Sequence, residues 1–219
     1  SGNVRQKLRT AQRVAARDPF FAGNVDALIA AQPKDLEASE IEVRLGATWL
    51  DKKYIEQFMY ETFETPRYLR GQIEISYVPY TAEWQVSRKS MVRYNDVAAF
   101  TTYGTDRASA YRLLEDALNL RDIRIYDTIE DADGRERRVL NAKETTLAAQ
   151  KQQLIRDAFK DWIWKDPERR ETLVRQYNEE MNSTRPREYD GSHIVFSGMN
   201  PEITLREHQK NAIAHVLYG

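Results

Sequence analysis

The longest periodic run in the chain constrains its fold most. From Ala142 to Trp164, the residues Leu147, Leu154, Ala158, Phe159, Trp162 and Ile163 recur at helical spacing and make one apolar stripe. A stripe of that length has to be covered, and the following segment is suited to cover it. Pro167 fits a first helical turn, and Leu173, Val174, Tyr177 and Met181 follow on one face. Residues 142–182 are therefore expected to form an antiparallel helix pair. Trp162 and Trp164 have rings that stack on nucleic-acid bases in other settings, but beside a Leu/Ile stripe they read first as packing anchors.

Residues 1–33 read as a helical hairpin. Val4, Leu8, Ala11 and Ala15, then Val25, Leu28 and Ile29, keep helical spacing on either side of Asp18 and Pro19. The first helix bears Arg5, Lys7, Arg9, Arg13 and Arg17 with no acid before Asp18. Residues 37–141 read as an α+β region. Asp51 caps a helix through Tyr54, Ile55, Phe58, Met59 and Phe63, and from Gln72 the apolar period changes to two. Ile73, Ile75 and Tyr77, then Trp84, Val86 and Met91, predict a two-stranded ribbon. Asn95 or Asp96 opens a short helix, and Thr105 caps another through Ala108, Tyr111, Leu114 and Leu118. A strand through Ile123, Ile125, Tyr126 and Ile129 returns through Val139 and Leu140 after an Asp133, Gly134 turn. The expected class is α+β, mainly helical, with one or two small antiparallel hairpins, and helix, turn, helix, hairpin is also the order of a winged helix.

Composition removes several chemistries. Among 219 residues there is no cysteine and there are three isolated histidines, His193, His208 and His215, so no thiol nucleophile or metal centre is expected. No apolar run reaches the roughly 20 residues of a membrane span, so a soluble, cytoplasmic chain with no membrane partner is expected. Ser1 and Gly2 resemble the remnant of a cleaved tag, and the chain stops directly after a helical pattern, as an excised piece of a longer protein would. The acids Asp127, Glu130, Asp131 and Asp133 surround a hairpin turn where Asp is favoured for geometry, and the spacing of Asp127 to Gly134 lacks the remaining ligands of a calcium loop.

A new segment begins after Asn182. Residues 183–191 are rich in Ser, Thr, Arg, Pro, Asp and Gly, and Ile194, Val195 and Phe196 form a short apolar run. A helix then carries Leu205, Ile213, Val216 and Leu217 inward and Gln209 outward. The order leucine, basic residue, any residue, histidine, glutamine resembles the glutamine motif of superfamily-two helicases, including Swi/Snf-type motors. Phrases over nearly the whole chain carry the same resemblance: EIEVRLGATWL (Glu40 to Leu50), VLNAKETTLAAQKQ (Val139 to Gln152), FKDWIWKDPERR (Phe159 to Arg170) and REYDGSHIVFSGMNPEITLREHQ (Arg187 to Gln209). They look like the segment joining an adenine-methylase region to a helicase region in very large proteins of bacterial conjugative elements and phages, relatives of which act in antirestriction.

That resemblance implies a parent protein that uses ATP and magnesium to move along DNA. Gln209 would read adenine through its paired amide donor and acceptor, with Arg206 and the loop 198–201 nearby. The chain has no Gly-x-x-x-x-Gly-Lys-Ser/Thr loop and no methylase tetrapeptide, so no catalytic residue and no cofactor of its own are expected. The first expectation is an accessory segment that contacts DNA through Arg5, Arg9, Arg13, Arg88, Lys89, Arg93, Arg107 and Arg112 and positions the motor. The second is a structural spacer between the helicase and methylase domains of one polypeptide, to which a net charge of −1 is congenial. The third is a winged-helix reader in which Arg107, Ser109 and Arg112 face a groove. Residues 183–219 are expected to be a linker and the start of the helicase domain.

Overall fold

A computed structural model describes residues 2–93, 96–130, 134–184, 191–195, 200 and 202–218. The fold is α+β and mainly helical, with two separate two-stranded antiparallel sheets among the described residues. The chain divides into two compact units: a terminal unit, Ser1–Lys34 with Asn182–Gly219, and a central unit, Asp35–Met181.

In the central unit, α3 (Lys52–Thr62) starts where Asp51 accepts a hydrogen bond from the Lys53 amide at 2.9 Å, and it buries Tyr54, Ile55, Phe58 and Met59. β1 (Ile75–Val78) and β2 (Glu83–Val86) pair with Tyr77 opposite Trp84. Helix α4 (Ala110–Leu118) buries six residues, Tyr111 and Leu114 among them. β3 (Tyr126–Glu130) and β4 (Glu136–Leu140) form a hairpin with β4 exposed throughout. Helix α5 (Ala142–Lys165) begins at an Asn141 cap, and α6 (Pro167–Glu180) begins at an Asp166 cap with proline in its first turn.

Helix α5 is the common support, since α3, α4 and α6 all pack against it. Phe159 meets Phe58 at 5.1 Å, and Phe58 in turn meets Phe63, which lies 5.3 Å from Tyr111. The helix pair 142–182 is thus part of the same body as the α+β region, because α3 and α4 bury their faces against it. The buried stripe of α5 is Ala148, Gln152, Ile155, Phe159 and Ile163, whereas Leu147 and Leu154 are exposed. Those leucines sit one residue out of phase with the stripe. Gln152 replaces them because its amide is satisfied inside: its oxygen accepts from the Ile123 amide and its nitrogen donates to the Arg121 carbonyl at 2.8 Å.

Local details also differ from expectation. Thr105 closes a turn, accepting from the Arg107 and Ala108 amides, and Ser109 caps α4. The helix expected at Asp96 is a five-residue π-helical turn, Ala98–Thr102; Asn95 lies outside the described residues, as do Asp131 and Asp133. Gly104 is required by close approach, since a Cβ there would lie 2.0 Å from the Ala99 carbonyl oxygen. Met91 is exposed and Val92 is buried in its place, and Met181 is exposed beyond the end of α6.

In the terminal unit, α1 (Val4–Ala15) is capped by Asn3 and joined to α2 (Ala22–Ala30) through a 3-10 turn whose start Asp18 caps. The Val4 amide donates to the Ser183 carbonyl at 2.8 Å. Helix α7 (Glu207–Tyr218) buries Ala214; Val216 and Leu217, expected inward, are exposed. Ala214 occupies the inward phase, and it is the one buried apolar side chain among the unit's described residues. Gly191 fits against α7, its amide donating to Asn211 Oδ1 at 2.8 Å and its missing Cβ leaving room for the Lys210 carbonyl. No helix among the described residues is long and apolar enough to cross a membrane.

Candidate nucleic-acid interface

The basic residues singled out from the sequence fall on both units. In the terminal unit, Arg5, Arg9 and Arg13 follow one another at i, i+4 and i+8, which places them along one side of α1. Arg5 is half-buried and anchored: its Nε donates to the Asn182 carbonyl at 3.1 Å and its Nη2 to the Pro33 carbonyl at 3.4 Å. Arg9 and Arg13 are exposed. Arg13 also donates to the Thr10 hydroxyl at 3.4 Å.

In the central unit most of the candidate cations hold the fold together. Lys89 pairs with Glu115 on α4, whose other carboxylate oxygen accepts from the Val86 amide at 2.8 Å. Arg107 binds Asp127 and the Tyr126 carbonyl, each at 2.8 Å. With Arg107 and Asn141 both donating to it, the Asp127 carboxyl is held below the usual carboxylate range. Arg112 projects from the first turn of α4 and donates to the Arg107 carbonyl at 3.3 Å, while Ser109 is spent as the helix cap. Arg88 lies in the left-handed region at φ 47°, and both it and Arg93 are exposed. On α4, burial raises the Asp116 carboxyl above its ordinary value.

Summed by unit, the charges separate. The terminal unit carries 10 Lys and Arg against 6 Asp and Glu, a net +4, and the central unit 23 against 28, a net −5. The near-neutral total therefore conceals an imbalance of position. A polyanion meets attraction at the terminal unit and net repulsion at the central one.

Gln209 and Arg206 come together at the start of α7. The Arg206 amide donates to Gln209 Oε1 at 2.9 Å, and the Gln209 amide donates back to the Arg206 carbonyl at 3.0 Å. This is a capping arrangement in which the side chain three residues into the helix satisfies the amide that precedes it. The amide oxygen that an adenine would use is thus already engaged, and an adenine contact would share it. Of the loop expected beside it, Asn200 is described, its side chain accepting from the Glu202 amide at 3.0 Å; Gly198, Met199 and Pro201 lie outside the described residues.

Sequence reasoning passed over two concavities. One is an apolar groove of about 650 Å³ between α1 and α2, lined by Lys7, Ala11, Val14, Phe21 and Leu28 among others. The other is a cleft of about 370 Å³ in the central unit, lined by Thr48, Lys52, Ser76, Tyr77 and Trp84. The alternation of Tyr77 and Trp84 identified the ribbon, but the approach of Lys52 to it is a tertiary fact with no local signal.

A mainly helical α+β unit into whose fold Lys89, Arg107 and Arg112 are tied, together with a second unit that carries a basic helical hairpin, is the class that fold and geometry define. The chain matches the model of a domain of unknown function, DUF8437, over residues 44–183, and it belongs to that family. The matched span nearly coincides with the central unit. No curated protein and no solved structure matches the chain.

Proposed function

We propose that this chain is a non-catalytic accessory segment of a DNA-translocating protein, in which the terminal unit meets the phosphate backbone and the central unit serves as a structural frame. The observation that carries this reading is the charge separation, +4 against −5, with the exposed Arg9 and Arg13 on an α1 that has no acid. Phosphate contacts of this kind position a protein on DNA without reading sequence. The resemblance to the segment beside helicase motors supplies the context. It makes the helicase and methylase regions of the same polypeptide the neighbours, and it assigns ATP and magnesium to the parent motor.

The test is binding of the chain to labelled duplex DNA, titrated with salt from about 50 mM upward, where phosphate contacts are strongest. Binding should weaken as salt rises, and Arg9→Ala with Arg13→Ala should flatten the log–log slope by roughly 2, one contact each. Absence of duplex binding at low salt would leave the second reading, a spacer between catalytic regions. That reading draws on the cross-element pairs Lys89–Glu115, Arg107–Asp127, Arg121–Glu83 and Arg156–Asp122, in which cations stiffen the frame.

A further inference from the structure

The cleft beside the β1–β2 ribbon has the composition of a ligand site rather than of a packing gap. Tyr77 and Trp84 are directly opposed across the ribbon, with ring centroids 5.0 Å apart and planes tilted by 53°. Trp84 is locked by its backbone: its amide donates to Asn119 Oδ1, and its carbonyl accepts from Asn119 Nδ2, both at 2.8 Å. Trp84 is thus a held backing for the Tyr77 ring, the exposed member of the pair, on which a base can stack.

Every polar group around the platform can donate a hydrogen bond. Trp84 is 6% exposed, yet its indole N–H has no acceptor among the described residues, where no buried side-chain nitrogen is left without a partner. That N–H therefore reaches solvent, and the cleft is the concavity Trp84 lines. Lys52 supplies a cation and Thr48 and Ser76 hydroxyls, and no carboxylate lines the cleft among the described residues. The nearest acid to Lys52, Glu56, stands 3.9 Å from its ammonium and is already accepting from the Ile75 amide at 2.9 Å. Tyr77 is 37% exposed, and Tyr80, three residues on in the turn that closes the ribbon, is 98% exposed. The volume lies within the roughly 300–1,000 Å³ of small-molecule sites.

We infer that this cleft binds a nucleotide unit, with its base against Tyr77 and its phosphate on Lys52. A flat face, one cation and neutral donors match a flat, acceptor-rich base bearing one negative phosphate. The same chemistry is offered by a nucleotide within a single strand and by a free nucleoside monophosphate. The exposed ring of Tyr80, at most about 11 Å further along the chain, gives a second stacking surface that a strand can use and a free nucleotide cannot. The inference is independent of the role proposed for α1. It predicts one phosphate contact and hence a log–log salt slope near about −0.7, shallow beside the multi-contact duplex binding of an arginine row.

Fluorescence anisotropy with a labelled oligothymidylate, and competition by thymidine and adenosine monophosphates, test it on the full chain. Tyr77→Ala is expected to weaken oligothymidylate binding about fivefold or more, and Tyr77→Phe, which keeps the ring, to leave it intact. Lys52→Ala, at a position 56% exposed and so neutral for folding, is expected to weaken binding and remove the shallow salt dependence. Monophosphates that compete as well as the oligonucleotide, nucleotide for nucleotide, would assign the site to a free nucleotide; weaker competition would assign it to a strand. Binding to neither probe, or binding that Lys52→Ala and Tyr77→Ala leave unchanged while both variants stay folded, would overturn the inference.

Discussion

The two units of this chain solve the folding problem to different depths. In the central unit α3, α4 and α5 close on Phe58, Phe63, Tyr111, Ile155 and Phe159, all fully buried, and surface ion pairs such as Lys89–Glu115 and Arg107–Asp127 join segments distant in sequence. In the terminal unit α1 and α2 bury no side chain fully, and the long-range ties are polar, such as Arg5 to the Asn182 carbonyl and Val4 to Ser183. Burial of apolar area is the main source of stability, so the central unit holds most of it. The terminal unit holds instead the excess positive charge and exposed apolar rings such as Phe20 at 86%. The unit with fewer buried apolar contacts is the one expected to open first.

The sharpest way to break this comparison is to truncate one side chain in each unit. Phe159→Ala removes the ring that joins α5 to α3 and should cost about 3–5 kcal/mol. Val14→Ala, at a position 39% exposed on α1, should cost under about 1 kcal/mol. Denaturant unfolding followed by tryptophan fluorescence reports the central unit alone, because Trp49, Trp84, Trp162 and Trp164 all lie in it, and far-UV circular dichroism adds the helices of the terminal unit. Equal losses from the two substitutions would show that the terminal unit is as firmly packed as the central one.

The alkaline limb of stability sharpens the same contrast. Burial pushes the Tyr111 phenol up to about 12, partly offset by the Thr65 hydroxyl 2.7 Å away. The unfolded chain releases this proton near 10 and the folded chain near 12, so the tyrosine's share of stability is complete below about pH 10 and falls away between 10 and 12. Tyr111→Phe should cost about 1 kcal/mol at neutral pH through the lost hydrogen bond and should flatten that alkaline loss. Denaturation midpoints for both proteins at pH 8, 10 and 11 check it. An unchanged slope in the variant would place the alkaline sensitivity elsewhere.

What could be read in the sequence follows the range of the interaction responsible. Asp51 before α3 and Asp166–Pro167 before α6 announce their helices, because a cap and a first-turn proline act within a few residues. The phase of α5 was legible only in part. Phe159 and Ile163 are inward as expected, but Gln152 lies buried where a leucine stripe was anticipated, and its partners are carbonyls and amides about 30 residues away. The union of residues 1–34 with 182–219 was not legible at all, since a hydrogen bond from Val4 to Ser183 leaves no periodic trace. The candidate cations show the same limit. The i, i+4 row of α1 is a local pattern, whereas the pairing of Lys89 with Glu115 and of Arg107 with Asp127 is set by how strands and helices meet.

The smallest effect bears on Gln209, where one residue supports two explanations. Its side-chain oxygen caps α7 in the structure, while the resemblance to the helicase motif would have it read adenine. The two make different demands on the amide, because a glutamate in its place still offers an acceptor to the Arg206 amide but has no donor for a base. Gln209→Glu should therefore keep the start of α7, and its added negative charge also suits a helix N-terminus. Gln209→Ala should weaken that start by about 0.5 kcal/mol, at the lower end of capping losses. Hydrogen exchange of the Arg206 amide and the first-turn amides of α7 reads this directly, with faster exchange expected in the alanine variant alone. If the glutamate variant also exchanges faster, the cap is not what this side chain contributes, and the donor of its amide becomes the group to explain.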